Sequence, residues 1–322
     1  MEKMGQALWK VPGEEHPFPL PTLSRTEPHL VIKPHPGVQR VGENSKVSNR
    51  EEISPAYSKI TAKGEIPLII FTLLVQMAIG AYGAIFMIYW GFSDKQIARQ
   101  ITFVPLLVVG AAIIAAMIIS LFHLGTPKKA WRALNHLRKS WLSREIFFTS
   151  GFAVLWIIHT GLRIFQIRTS SIERVLTVLT FMCGLAALFC MQRVYQLRSM
   201  PAWNSARTLL EFMISTIGLG CFLIGIILPR NIPSGIMVWI ALVGIVFFSA
   251  ALLVTISSAN SGNKSLIIWR AGLILAGLLG AVTLSIWPSE ALIGSWFLVF
   301  IIALAEEAIG RWQFYSRRNP GI

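Results

Sequence analysis

Eight stretches of about twenty or more predominantly apolar residues follow one another with short connections: about 66–90, 101–123, 145–167, 172–195, 207–228, 233–257, 266–287 and 290–315. A bilayer core about 30 Å thick takes roughly 20 residues of helix to cross. With no water available to the backbone there, a spanning segment must satisfy its own amides, and a helix does so. Hydrophobic residues make up 54% of the chain and charged residues only 14%, with a mean hydropathy of +0.62. That balance lies far from a soluble globular chain. The expected fold class is therefore an all-α integral membrane protein: a bundle of eight transmembrane helices over residues 63–322, preceded by an extended arm over residues 1–62.

The net charge of +14 does not point to nucleic acid, because the basic residues sit mainly in the connections between apolar segments. One face receives the arm, the loops after spans two, four and six, and the C-terminus, and collects sixteen Lys and Arg. The other face has six: Lys95, Arg99, Arg163, Arg168, Arg174 and Arg230. The positive-inside rule then places both termini in the cytoplasm of a plasma or inner membrane. A docking face for a soluble partner would carry the same charges. Trp90, Trp141, Trp203, Trp287 and Trp312 fall at or near span ends, where aromatic rings bridge lipid and water. Gly80, Gly83, Gly272, Gly277 and Gly280 suit close helix contact.

The arm, with PGEEHPFPLPTLSRTEPHLVIKPHPG, is rich in proline and charge and has no period long enough to fold alone. Its first thirty residues include Glu2, Lys3, Glu14 and Glu15 and no continuous apolar core, so no cleavable export signal is expected. The apolar patches at 18–20 and 30–32 favour a strap along a partner over a free tail. Cys183, Cys190 and Cys221 all lie inside apolar segments without a C-x-x-C pair; they are expected to pack as small apolar side chains, and no metal site is expected.

The loop between spans two and three stands apart. HLGTPKKAWRALNHLRKSWLSRE holds Lys128, Lys129, Arg132, Arg138, Lys139 and Arg144, with His123 at one border and Glu145 at the other. His159 lies fourteen residues beyond Glu145, about 21 Å along a helix, so it and His123 cannot ligate one haem iron; a hydrogen bond near the far interface suits His159 better. His123 and Glu145 lie at one level. A histidine and a carboxylate there are able to accept the protons a quinol releases on oxidation. Either residue alone equally suits a polar group reaching for water at the interface.

HLGTPKKAWRAL followed by SWLSREI resembles the membrane anchor subunit of the DMSO reductase family, in which an H-L-G-x-P run ends the second span and an S-x-E run opens the third. EIPLIIFTLLVQ with Gly80, MQRVYQLRSMPAW with Arg193, Tyr195, Pro201 and Trp203, and AEEAIGRWQFY with Glu307, Gly310, Arg311, Phe314 and Tyr315 agree with the same family in the same order. The likeness runs from about residue 64 to 316. The arm segments EPHLVIKPHPG and SNREE look like the C-terminal tail of the family's iron–sulfur subunit.

The resemblance implies an anchor that oxidises menaquinol and passes electrons to an iron–sulfur subunit, which feeds a molybdopterin catalytic subunit. Menaquinol is then a substrate, and the clusters and molybdopterin belong to the partners. The family's quinol-site histidine and glutamate fall on His123 and Glu145. Arg144 would tune the carboxylate, and Lys128, Lys129, Arg132 and Arg138 would hold the partner or simply set topology. Arg193 and Arg311, at span ends on the same face, would pin helices or line the site, with packing the better reading. An anchor of a polysulfide, thiosulfate or tetrathionate reductase would use the same quinol chemistry. A transporter, the rival from another class, is disfavoured by span centres that read as nearly free of ionisable residues.

Overall fold

The computed structural model describes residues 66–122, 134–167, 170–196, 203–229, 232–257, 264–288 and 293–316. The arm, residues 1–62, lies outside them. Eight long helices cross the apolar layer: α1 Ile66–Gly91, α3 Phe103–Phe122, α4 Trp141–Ile164, α5 Ser170–Tyr195, α6 Ala206–Ile227, α7 Ser234–Ser257, α8 Lys264–Ile286 and α9 Ile293–Ser316. Each is long and apolar enough to span a membrane. The described residues contain helices and no strand, so the chain is an all-α, multi-pass membrane protein.

A short helix, α2 (Lys95–Ile101), joins α1 to α3 in the connection between the first two apolar stretches. Asp94 starts it: its carboxylate accepts from the N–H groups of Gln96 at 2.7 Å and Ile97 at 3.3 Å, satisfying donors that a first turn leaves free. Span three begins four residues earlier than its apolar run, because Ser140 caps α4 by accepting from Ser143 N–H. It ends as Gln166 turns into the left-handed region at φ 53°.

The spans alternate in direction, so the starts of α1, α4, α6 and α8 share one side, here the near face, with the ends of α3, α5, α7 and α9. Helices α1, α3, α4 and α5 pack as one group and α6 to α9 as another, and α1 against α6 is the main seam between them. Gly80 makes that seam possible. A Cβ there would strike the Thr216 carbonyl and crowd Gly220, so the two backbones meet with no side chain between them. Among the glycines expected at contacts, Gly272 is the exception: a Cβ there would meet nothing within 4 Å, because that side of α8 does not face another helix.

Large apolar side chains outside these seams, such as Trp239, Leu253 and Ile268, are exposed and form the surface that lipid covers. Trp90 and Trp287 are likewise exposed at span ends. Trp203 departs from the expected belt and is only 5% exposed. Its ring stacks on Phe314 at 5.2 Å, and its Nε1–H donates to Phe314 O at 2.9 Å. That buried carbonyl gives the indole a polar partner that an interfacial position would have taken from water. The cysteines are free; Cys190 is buried, and Cys183 Sγ sits 3.3 Å from Phe148 O.

Candidate functional site

The near-face site is built from the head of α4 outward. Residues 134–139 form a tight turn, closed by the N–H groups of Lys139 and Ser140 donating to His136 O at 3.0 and 2.9 Å. Arg144 fastens it to the helix: Nε donates to Leu137 O and Nη2 to Arg138 O, both at 2.8 Å. The Arg144 guanidinium lies 4.2 Å from the centre of the Trp141 ring, and that of Arg193 lies 5.5 Å from it. Arg193 therefore pins α5 to α4 as expected. Arg144 is committed to the loop and the indole and makes no ion pair with Glu145. Successive helical residues point about 100° apart, which is why the two diverge. The side chain of Arg138 is exposed on the near face.

Glu145 turns inward and is 5% exposed. No hydrogen bond or ion pair from a described residue reaches its carboxylate. On the same face, at the ends of α5 and α9, the hydroxyls of Tyr195 and Tyr315 share a hydrogen bond of 2.6 Å. His123, Lys128, Lys129 and Arg132 lie outside the described residues.

Other residues of the separated sequence motifs converge on Arg311. Arg311 on α9 donates through Nη2 to Gln76 Oε1 on α1 at 2.8 Å and to Ser215 Oγ on α6 at 3.3 Å. Its guanidinium also covers Phe212 at 3.8 Å. Gln76 Nε2 donates to Phe212 O at 3.4 Å. The Ser215 hydroxyl is 2.6 Å from both Glu211 O and Glu307 Oε2; with one proton, it donates to one of them at a time. Arg270 on α8 donates from Nε to Glu306 Oε1 at 2.7 Å, and a Cβ at Gly310 would crowd its guanidinium. Arg311 thus pins helices, as expected, and does so across three of them.

Glu306 and Glu307 occupy the middle of α9 and are 0% and 5% exposed. Span centres are therefore less free of ionisable groups than the sequence suggests. A bare carboxylate in hydrocarbon would be very costly; the Arg270 guanidinium offsets that cost at Glu306 through a direct ion pair, and the Ser215 hydroxyl offers Glu307 a hydrogen bond.

A second polar cluster occupies the far face. Tyr82 Oη and His159 Nδ1 are 2.8 Å apart, the hydrogen bond expected of His159. Arg163 Nε donates to Glu173 Oε1 at 2.8 Å, and Arg99 Nε pairs with Glu173 Oε2 at 3.2 Å. His159 Nε2 lies 3.5 Å from Glu173 Oε1.

A family model for the DMSO reductase anchor subunit (DmsC) matches residues 61–316. The chain belongs to the DMSO reductase anchor subunit family. Among similar proteins, one from the anaerobic dimethyl sulfoxide reductase of Haemophilus influenzae is 28% identical over 267 residues, 78% of this chain and 94% of that protein. YnfH, from an anaerobic dimethyl sulfoxide reductase of Escherichia coli, is 29% identical over 278 residues, with the same coverage. A shorter likeness, 33% over 129 residues, links 36% of this chain to 39% of a sulfite dehydrogenase subunit from Allochromatium vinosum.

In this anchor subunit, sequence reasoning places the chemistry at the loop ends and misses the Tyr195–Tyr315 pair and the Arg270–Glu306 and Arg163–Glu173 ion pairs. Tyr195 and Tyr315 stand in the motifs, so their signal is present in the sequence; their contact across 120 positions is not.

Proposed function

We propose that this anchor oxidises menaquinol at the near face and delivers its electrons to an iron–sulfur subunit bound there, which feeds a molybdopterin catalytic subunit. The observation that carries the proposal is Glu145: a buried carboxylate at the head of α4, without a partner among the described residues, on the face that also holds the Tyr195–Tyr315 pair. A carboxylate in that position is able to accept a hydrogen bond from a quinol hydroxyl. His123 takes the proton from one quinol oxygen, and Glu145 accepts or relays the second. Two protons leave toward the near face and two electrons pass one at a time to the nearest cluster of the partner, so a neutral quinol becomes a neutral quinone.

Arg144 keeps the head of α4 and the loop in register and acts on the site by position. Lys128, Lys129, Arg132 and the exposed Arg138 present positive charge to the docked subunit. The basic bias of the near face supports a cytoplasmic assignment for that face and both termini, in an inner or plasma membrane. The arm lies along the iron–sulfur subunit. An anchor of a polysulfide, thiosulfate or tetrathionate reductase would use the same residues; the catalytic subunit recovered with the protein distinguishes them.

The test is quinol-dependent reduction of the iron–sulfur subunit in membranes carrying the assembled complex. His123→Ala is expected to abolish it while the partner stays bound. Unchanged turnover would refute the assignment.

A further inference from the structure

We propose that the far-face cleft binds the phosphate diester of an anionic phospholipid headgroup, independently of the quinol chemistry on the near face. The cleft is about 590 Å³; Tyr89, Lys95, Gln96, Arg99, Gln100 and Arg163 line it together with Gln166 and one carboxylate, Glu173.

Its charge does not balance internally. Glu173 is a single carboxylate with an oxygen on each of two guanidiniums, Oε1 to Arg163 and Oε2 to Arg99. One positive charge is left over: Arg163 is 6% exposed and Glu173 2%, while the Arg99 side chain, 20% exposed, opens toward the cleft mouth. A residual charge at such a partly buried position favours an anionic partner. Lys95 adds a further cation, although its ammonium is already bound to the carbonyl oxygens of Tyr89 and Phe92 at the end of α1. Asp94, the nearby acid, is turned into the N-cap of α2.

The donors are also unevenly used. Arg163 Nη1 donates to Thr102 Oγ1 at 2.7 Å and to Arg99 O at 3.3 Å. Arg163 Nη2 has no partner among the described residues, and neither has the hydroxyl of Tyr89, a residue that is 0% exposed. Both side chains line the cleft. Two buried donors and one residual positive charge fit a monoanion with several acceptor oxygens.

Position selects the source of that anion. The cleft lies where α1 ends, α4 ends and α5 begins, at headgroup level. Its walls include Phe103 and the exposed Ile164, which suit the glycerol and upper acyl chain of a lipid. A neutral quinone would leave the charge uncompensated, and inorganic phosphate would leave the apolar wall bare. Basic pockets between spans recognise phospholipid headgroups by this combination.

The experiment titrates the purified full-length protein in neutral detergent with dioleoyl phosphatidylglycerol, dioleoyl phosphatidylcholine or inorganic phosphate, reading binding by native mass spectrometry and the thermal midpoint. Phosphatidylglycerol is expected to bind and raise the midpoint, phosphatidylcholine to bind at least about tenfold more weakly, and inorganic phosphate neither to stabilise nor to compete. Gln100 is exposed, so Gln100→Glu puts a carboxylate at the mouth without disturbing the buried ion pairs. It is expected to weaken phosphatidylglycerol binding about fivefold, with Gln96→Glu as an independent second case. Equal binding of the two lipids, no effect of either variant, or full competition by inorganic phosphate would each overturn the proposal.

Discussion

The hydroxyls of Tyr195 and Tyr315 lie 2.6 Å apart although 120 positions separate them in the sequence. This contact ties the end of α5 to the end of α9 on the near face, the face on which Glu145 stands at the head of α4. Two distant motifs thus share one buried hydrogen bond.

Removing either hydroxyl breaks the same hydrogen bond. Tyr195→Phe and Tyr315→Phe are each expected to destabilise the protein by about 1 kcal/mol, and the double variant by less than the sum of the two. Thermal melting of the purified protein in detergent checks this; strict additivity would mean that the two do not act as a pair.

Arg311 serves α1, α6 and α9 together through Gln76, Ser215 and Phe212. Arg311→Ala leaves the Gln76 side-chain oxygen short of a donor and is expected to cost about 1–3 kcal/mol. Arg311→Lys, which keeps the charge and loses the planar fork, should recover only part of it. Chemical or thermal unfolding of both variants gives the comparison.

The seam between α1 and α6 has no space for a side chain at Gly80. Gly80→Ala is therefore expected to destabilise by about 1–3 kcal/mol through forced separation of the helices. Gly272→Ala, in open space, should be neutral or slightly stabilising, since alanine has the higher helix propensity. Equal effects at the two positions would contradict the packing of the seam.

The arm carries a docking prediction. Deleting residues 1–60 is expected to lower recovery of the iron–sulfur subunit with membranes, measured by immunoblot of washed membranes. Full recovery would show that the arm does not hold the partner.

The eight spans are legible in the sequence because each needs only length and apolar composition, both local properties. Their starts shift where a polar cap intervenes: Ser140 begins α4 ahead of the apolar run, and Asp94 creates α2 in a stretch with no apolar signal. The candidate site is legible in its motifs, since Glu145, Tyr195 and Tyr315 all stand in them. Its geometry is not, because the pairing of Tyr195 with Tyr315 or of Arg311 with Gln76 depends on which helices become neighbours. Buried charge is the hardest to read. Glu306 and Glu307 fall within the last apolar stretch, and only the proximity of Arg270 on another helix to Glu306 and of Ser215 on a third to Glu307 lets them sit buried there.

The central claim is that Glu145 accepts a quinol proton at the near face. The most direct measurement is the single-turnover rate of menaquinol oxidation by the assembled complex carrying Glu145→Gln, with binding of the iron–sulfur subunit verified in the same preparation. A fall of about a hundredfold or more, the scale expected for loss of a general base, is predicted with the partner still bound. A rate within about twofold of the unaltered complex would contradict it.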